Sequence, residues 1–262
     1  MKKAVLQNGV ELAYEDRGTG DAVCLVHGFC GSSAYWKKLI PRLEKSSRVL
    51  APDLRGHGGS SVPDETYTVE KMAEDLAFFM DETGIEKMTL LGHSLGGYVA
   101  LAFAERYPDR LSAMGLIHST AFPDDEQAKE NRTKGMESIR QNGIEPFIKA
   151  LVPKLFAPGA LSRYPEEWER VKQVGLQTPP DGAIRTLEAM RERADRQHVL
   201  RKLACPVLLI AGEQDQIIPA DKTFTADGAN VTRVLLAEAG HMGMLETPEK
   251  MADAIKQFLS NI

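Results

Sequence analysis

The segment Ala22 to Val26 is an unbroken apolar run that ends abruptly at His27-Gly28. Alternation would mark a strand with one wet face. An unbroken run of this length marks a strand buried on both faces, as in a parallel sheet with helices above and below. The chain keeps that rhythm on both sides of a long interruption. A helical segment around Tyr35 to Lys45 precedes a strand at Arg48 to Ala51. Between 69 and 83, Met72, Leu76, Phe79 and Met80 recur at helical spacing. Strands follow at Lys87 to Gly92 and Leu111 to His118, with a helix at Leu95 to Tyr107 between them. Later come a strand at Pro206 to Ala211, a helix near 220–226 and a strand at Val231 to Leu236. A last helix takes Thr247 as N-cap and Pro248 at its first position, where proline is favoured. Near the start, Asn8-Gly9 signals a hairpin between Ala4–Leu6 and Val10–Glu15. Alternating strands and helices specify an α/β fold with a mostly parallel sheet and helices on both faces.

The interruption covers 121–199, which carries few strand signals, many charges and several proline-bounded helical stretches, including Pro146 to Val152, Glu166 to Val174 and Ala183 to Arg193. The expected organisation is a core built from 1–120 and 200–262 with a helical cap, 121–199, inserted between two strands. A chain of 262 residues buries about 70–75% of its unfolded surface, so folding requires no disulfide or metal. With 43% apolar and 26% charged residues the composition is that of a soluble globular protein. A net charge of −5 without a basic stripe argues against nucleic-acid binding. The longest apolar runs are strand-sized, which argues against a membrane span. The first residues hold too few apolar positions for a signal-peptide core. Cys24, Cys30 and Cys205 are odd in number and lack metal-ligand spacing, which points to a reducing cytoplasm.

The chemistry concentrates at Gly92-His93-Ser94-Leu95-Gly96-Gly97, between an expected strand and an expected helix. A Gly-x-Ser-x-Gly there forms a tight turn in which a Cβ at Gly92 or Gly96 would clash. The turn holds the Ser94 hydroxyl at the carboxyl edge of the sheet, where open α/β folds bind ligands, beside the positive end of a helix. A serine hydroxyl needs a base at neutral pH. Of six histidines, His93 lies inside the turn, His27 and His57 sit in glycine-rich loops, His118 ends a strand and His198 closes the insertion. His241 lies in the loop between the last strand and the last helix, from which an imidazole can swing over the sheet edge, and is the expected base. Its orienting carboxylate is Asp215, in the loop after the strand at 206–211, with Glu213 and Glu246 as competitors. Glu246 is expected to contact the first turn of the last helix. The order Ser94, Asp215, His241 is that of α/β-hydrolase triads. The expected oxyanion donors are the N–H of Leu95 and, in His27-Gly28-Phe29, the N–H of Phe29.

Four stretches in this order carry a resemblance: His27-Gly28-Phe29 with Trp36 downstream, Asp53-Leu54-Arg55-Gly56-His57-Gly58-Gly59-Ser60, the Ser94 turn, and Gly240-His241 followed by Glu246-Thr247-Pro248. Through them the chain resembles the α/β-hydrolase superfamily over essentially its whole length outside the insertion. Within it, the chain is most similar to small cytoplasmic bacterial carboxylesterases with a helical cap. The resemblance implies a serine carboxylester hydrolase acting on a small-molecule ester, without metal or cofactor, as a monomer or small homo-oligomer. It gives the Asp53 to Ser60 loop a structural role, with Arg55 as an internal ion-pair partner. Family members with an aspartate nucleophile, the haloalkane dehalogenases and epoxide hydrolases, are disfavoured by Ser94. Carbon–carbon bond hydrolases, perhydrolases or haloperoxidases, acyltransferases and slow-turnover receptors share the triad and stay open. Cys30 is expected either to pack or to line the pocket, and Met242 and Met244 either to fill the core or to form an acyl wall. Phe122, Met136, Ile139, Phe147, Leu151, Leu155 and Phe156 are the expected inner residues of the cap.

Overall fold

The computed structural model describes residues 1–262. β1 (Lys2–Val5) and β2 (Glu11–Arg17) form the hairpin, closed by a bond from Leu6 N–H to Val10 O at 2.8 Å. The α/β body follows as β3 (Ala22–Val26), α1 (Ile40–Leu43), β4 (Arg48–Pro52), α2 (Val69–Thr83), β5 (Met88–His93), α3 (Leu95–Arg106) and β6 (Leu111–Ile117). Six helices interrupt it: α4 (Glu126–Asn142), α5 (Ile144–Leu155), α6 (Ala160–Arg163), α7 (Pro165–Leu176), α8 (Pro180–Arg191) and α9 (Gln197–Lys202). It closes with β7 (Val207–Gly212), α10 (Ala220–Thr223), β8 (Val231–Leu236), α11 (Gly243–Glu246) and α12 (Pro248–Leu259). No helix is long and apolar enough to cross a membrane.

The eight strands form one sheet in the order β1-β2-β4-β3-β5-β6-β7-β8, antiparallel at β1–β2–β4 and parallel beyond. The chain steps from β3 outward to β4, then returns past β3 to β5. The loops after β3 and β5 therefore diverge and leave a crevice at the carboxyl edge, the usual ligand position in such sheets. β5 and β7 are buried at every position, as continuous apolar runs require. α3 is buried from Leu95 to Ala104, and α2 buries Met72, Leu76, Phe79 and Met80 as its spacing predicts. Each fully buried Leu or Met contributes about 1.5–3 kcal/mol.

Three local expectations need correction. Residues 35–45 are not one helix. A 3-10 turn at Ser33–Trp36 gives way to α1, because Pro41 has no N–H to continue a helix through it. The helix near 220–226 ends at Thr223. Thr247 occupies the N-cap of α12 without capping it, since its hydroxyl donates back to Gly243 O at 3.3 Å.

In the loop after β4, Arg55 is buried and bonds Asp75 through Nε and Nη2 at 2.6 and 2.7 Å, with Glu65 at 2.5 Å. It is the internal ion-pair partner expected of it, and removing one member would cost about 3–5 kcal/mol. The helical block α4–α9 joins the body through two crossing segments. Arg196 N–H donates to Ala121 O at 3.0 Å, and Arg193 bonds Phe122 O at 3.2 Å and Asp124 at 2.5 Å. α9 runs past residue 199 to Lys202.

Candidate active site

Ser94 sits between β5 and α3 at φ 50°, ψ −113°, a conformation that costs a non-glycine residue about 1–3 kcal/mol. Its backbone is pinned on both sides. Ser94 N–H donates to Ile117 O at 3.0 Å, and Ser94 O accepts from Gly97 N–H at 2.9 Å and Ser119 Oγ at 2.7 Å. The neighbouring glycines are obligatory: a Cβ on Gly92 would lie 2.2 Å from Gly96 O, and one on Gly96 would lie 2.3 Å from Val26 O. The Ser94 side chain is partly exposed and takes no hydrogen bond from the protein.

Asp215, after β7, and His241, after β8, meet at this edge. His241 Nδ1 is 2.8 Å from Asp215 Oδ2, with both side chains buried. The other carboxylate oxygen, Oδ1, accepts from Ile217 N–H at 2.8 Å and Ile218 N–H at 3.0 Å. Burial alone would raise the Asp215 carboxyl. The His241 imidazole and the facing His118 ring outweigh it and hold the group well below the ordinary carboxylate range. The His241 backbone is tied down as well: its N–H donates to Leu155 O at 3.0 Å, and its carbonyl lies 2.9 Å from His93 Nε2.

Three supporting contacts go beyond the sequence expectations. His118, assigned only to a strand end, is fully buried with φ 46°, and its Nδ1 lies 3.5 Å from Asp215 Oδ2. Asp215 thus lies between two imidazoles. Ser119, beside it, bonds the Ser94 carbonyl. Glu246 does not serve α12. It is buried and accepts from Gly240 N–H at 2.9 Å, Met242 N–H at 3.3 Å and Ala157 N–H at 2.8 Å. One carboxylate thereby holds the loop on both sides of His241 and ties it to the helical block. The competitor Glu213 is exposed.

Phe29, after β3, has an N–H without a partner, and Leu95 begins α3, where the N–H has no acceptor within the helix. Cys30 is buried at φ 52°, and burial raises its thiol well above the ordinary range. Met242 and Met244 are fully buried in the core rather than forming a wall. The helical block rests on the loops at the carboxyl edge: the Phe147 ring is 5.8 Å from that of Phe29, and Gln216 donates to Phe156 O at 2.7 Å. The expected inner residues divide. Met136, Ile139, Leu155 and Phe156 are buried, while Phe122, Phe147 and Leu151 line a cleft of about 940 Å³ between block and body. A second cavity, about 740 Å³, opens at the opposite edge, between Asp21, Ser46 and Lys87. No set of three or more His, Cys, Asp or Glu side chains is gathered to hold a metal ion.

A sheet whose one reversed strand, β2, lies next to its edge, a strained serine after β5, and an acid and a histidine after β7 and β8 define a hydrolase architecture. The chain belongs to the alpha/beta hydrolase fold family, whose model matches residues 21–248. It is similar to a solved thermophilic esterase from Thermogutta terrifontis, at 37% identity and a TM-score of 0.94 over 99% of this chain and 98% of that one. It is also similar to 3-oxoadipate enol-lactonase 2 of Acinetobacter baylyi, at 26% identity over 97% of this chain and 95% of the relative. The solved enol-lactonase of Burkholderia xenovorans LB400 matches at 26% identity and a TM-score of 0.89, covering 99% of this chain and 100% of that one.

The buried imidazoles set a pH limit on the fold. Burial lowers His27 to about 4 and His57 to about 3, lowers His93 well below 6.5, and lowers His118 despite the facing Asp215. These rings stay neutral in the fold but take up protons near pH 6.5 in the unfolded chain. The unfolded chain therefore binds more protons below pH 6.5, and stability falls as pH falls from there towards 4. Each ring contributes about 1.4 kcal/mol per pH unit within its window. Urea midpoints are expected to drop steeply between about pH 6.5 and 5. A flat midpoint over that interval would show that the rings are not held neutral.

Proposed function

We propose that the protein is a serine carboxylester hydrolase that acts through an acyl-enzyme. The reading is carried by one observation: the His241–Asp215 bond of 2.8 Å at the sheet edge that also presents the free, strained Ser94. Ser94 Oγ attacks the ester carbonyl while His241 Nε2 takes its proton. The N–H groups of Phe29 and Leu95 bind the developing oxyanion, a contribution of about 10²–10³ in turnover for each donor. Asp215 keeps the Nδ1–H tautomer and stabilises the imidazolium. Collapse of the tetrahedral intermediate breaks the C–O bond, and His241 delivers the proton to the leaving alcohol. Water, deprotonated by His241, then attacks the acyl-enzyme and releases the acid, restoring Ser94. The reaction uses no metal or cofactor. The setting we propose is the cytoplasm, with the chain acting as a monomer or small homo-oligomer.

A cyclic ester is opened by the same steps. The two enol-lactonases among the similar proteins favour lactones as a second substrate type. The helical block acts as a cap over Ser94, with Phe147 and Leu151 as its inner surface. A roofed pocket suits short to medium acyl groups, roughly C2 to C8. Rates on a chain-length series of 4-nitrophenyl esters should peak in that range, with no jump above the solubility limit. A maximum near C12 or longer would mean the block does not restrict the site. A burst followed by near silence would favour a receptor over an enzyme.

A further inference from the structure

The cleft beneath the helical block is more than an apolar roof space. Its inner wall adjoins the Ser94 edge through neighbouring groups: the Phe147 ring lies 5.8 Å from that of Phe29, Tyr98 N–H donates to the Ser94 backbone carbonyl at 3.3 Å, and the N–H groups of Ile217 and Ile218 donate to Asp215. Farther out it carries four cations, Arg132, Lys154, Arg193 and Lys222, against three carboxylates, Asp124, Asp125 and Asp195. The chain as a whole carries −5, so the cleft reverses the sign of the protein around it.

The carboxylates are already engaged. Asp124 bridges Arg132 at 3.1 Å and Arg193 at 2.5 Å. Asp125 caps α4 through Ala128 N–H at 2.8 Å, and Asp195 accepts from Gln197 N–H and Nε2, both at 2.9 Å. That leaves Lys154 and Lys222 as cations without a carboxylate partner, one from each lip. On α5 the cleft residues Phe147, Ala150, Leu151 and Lys154 follow helical spacing, an apolar stripe that ends in an ammonium group. On the body side, Thr120 Oγ1 donates to Lys222 O at 2.7 Å, and Lys222 Nζ lies 4.8 Å from the centre of the Phe122 ring, which itself lines the cleft.

We propose that the cleft selects esters or lactones carrying a free carboxylate a few carbons from the scissile carbonyl, with Lys154 and Lys222 receiving that carboxylate. The proposal rests on the serine-hydrolase reading and narrows its substrate class. A cleft lining that is apolar along α5 and carries two cations without carboxylate partners fits an aliphatic spacer followed by an anion. Both ammonium groups are exposed, so the selection is electrostatic and weakens with salt.

The test compares monomethyl glutarate with dimethyl glutarate, by kcat/KM at low and high salt, with 4-nitrophenyl butyrate as a reference for turnover. The wild-type protein should favour the half-ester, mainly through KM. The preference should fall roughly 2–5-fold in Lys154→Ala or Lys222→Ala and roughly 10-fold in the double variant. Lys222→Arg should retain it, and about 0.5 M salt should erode it. Turnover of the butyrate ester with no half-ester preference, or a preference that survives the double variant, overturns this proposal alone. No turnover of any ester overturns the serine-hydrolase reading and this proposal with it.

Discussion

Ser94→Ala is expected to abolish ester turnover while leaving the fold intact. Removing the nucleophile of a serine-protease triad costs about 10⁶-fold in kcat, and a loss of that order is expected here. Stability should change by no more than about 0.5 kcal/mol, because the hydroxyl makes no hydrogen bond within the protein and alanine is as strained as serine at φ 50°. Ser94→Gly should also be inactive but more stable by about 1 kcal/mol, since glycine adopts positive φ freely. The pair separates chemistry from strain: both variants lose turnover, and only the glycine gains stability. A serine-directed phosphonate should add one mass increment, at Ser94. More than a few per cent of residual activity in Ser94→Ala, or labelling elsewhere, would remove Ser94 from the mechanism.

The parts of this site that could be read from sequence are those set by local rules. A strand buried on both faces shows as an unbroken run, so β3, β5 and β7 were legible to within a residue or two. The turn at Ser94 was legible because its geometry admits only glycine at positions 92 and 96. The pairing of Asp215 with His241 is legible because each follows a late strand at the carboxyl edge. The residues that escaped depend on strand order and on distant contacts. His118 faces Asp215 only because β6 lies beside β7, an adjacency no local pattern encodes. Glu246 bonds Ala157, 89 positions away in the helical block, and nothing near either residue announces the pairing. The charge balance of the cleft was hidden for the same reason. Lys154 and Lys222 are ordinary surface lysines until the fold sets α5 opposite α10, where the neighbouring carboxylates are already committed to Arg132, Arg193 and backbone N–H groups.

Asp215→Asn should cut turnover by about 10⁴-fold, the cost of the equivalent change in a protease triad. The direction follows from the bonds at this carboxylate. Oδ1 receives two N–H donors, from Ile217 and Ile218, so an asparagine keeps its oxygen there and turns its amide NH₂ towards His241. An amide N–H facing Nδ1 makes Nδ1 the acceptor and moves the imidazole proton to Nε2, where it cannot take the proton of Ser94. The negative charge that stabilises the imidazolium is lost in the same change. Glu213→Gln, on an exposed side chain, should stay near wild type. Glu246→Gln should behave differently from both. It sets an NH₂ group against backbone donors that now share a carboxylate, at a cost of about 1–3 kcal/mol in stability, and it should loosen the His241 loop rather than change its tautomer. Its turnover, measured well below its melting temperature, should therefore remain far above that of Asp215→Asn. A larger loss of kcat from either glutamate than from Asp215, with all three variants folded, would mean that Asp215 is not the residue orienting His241.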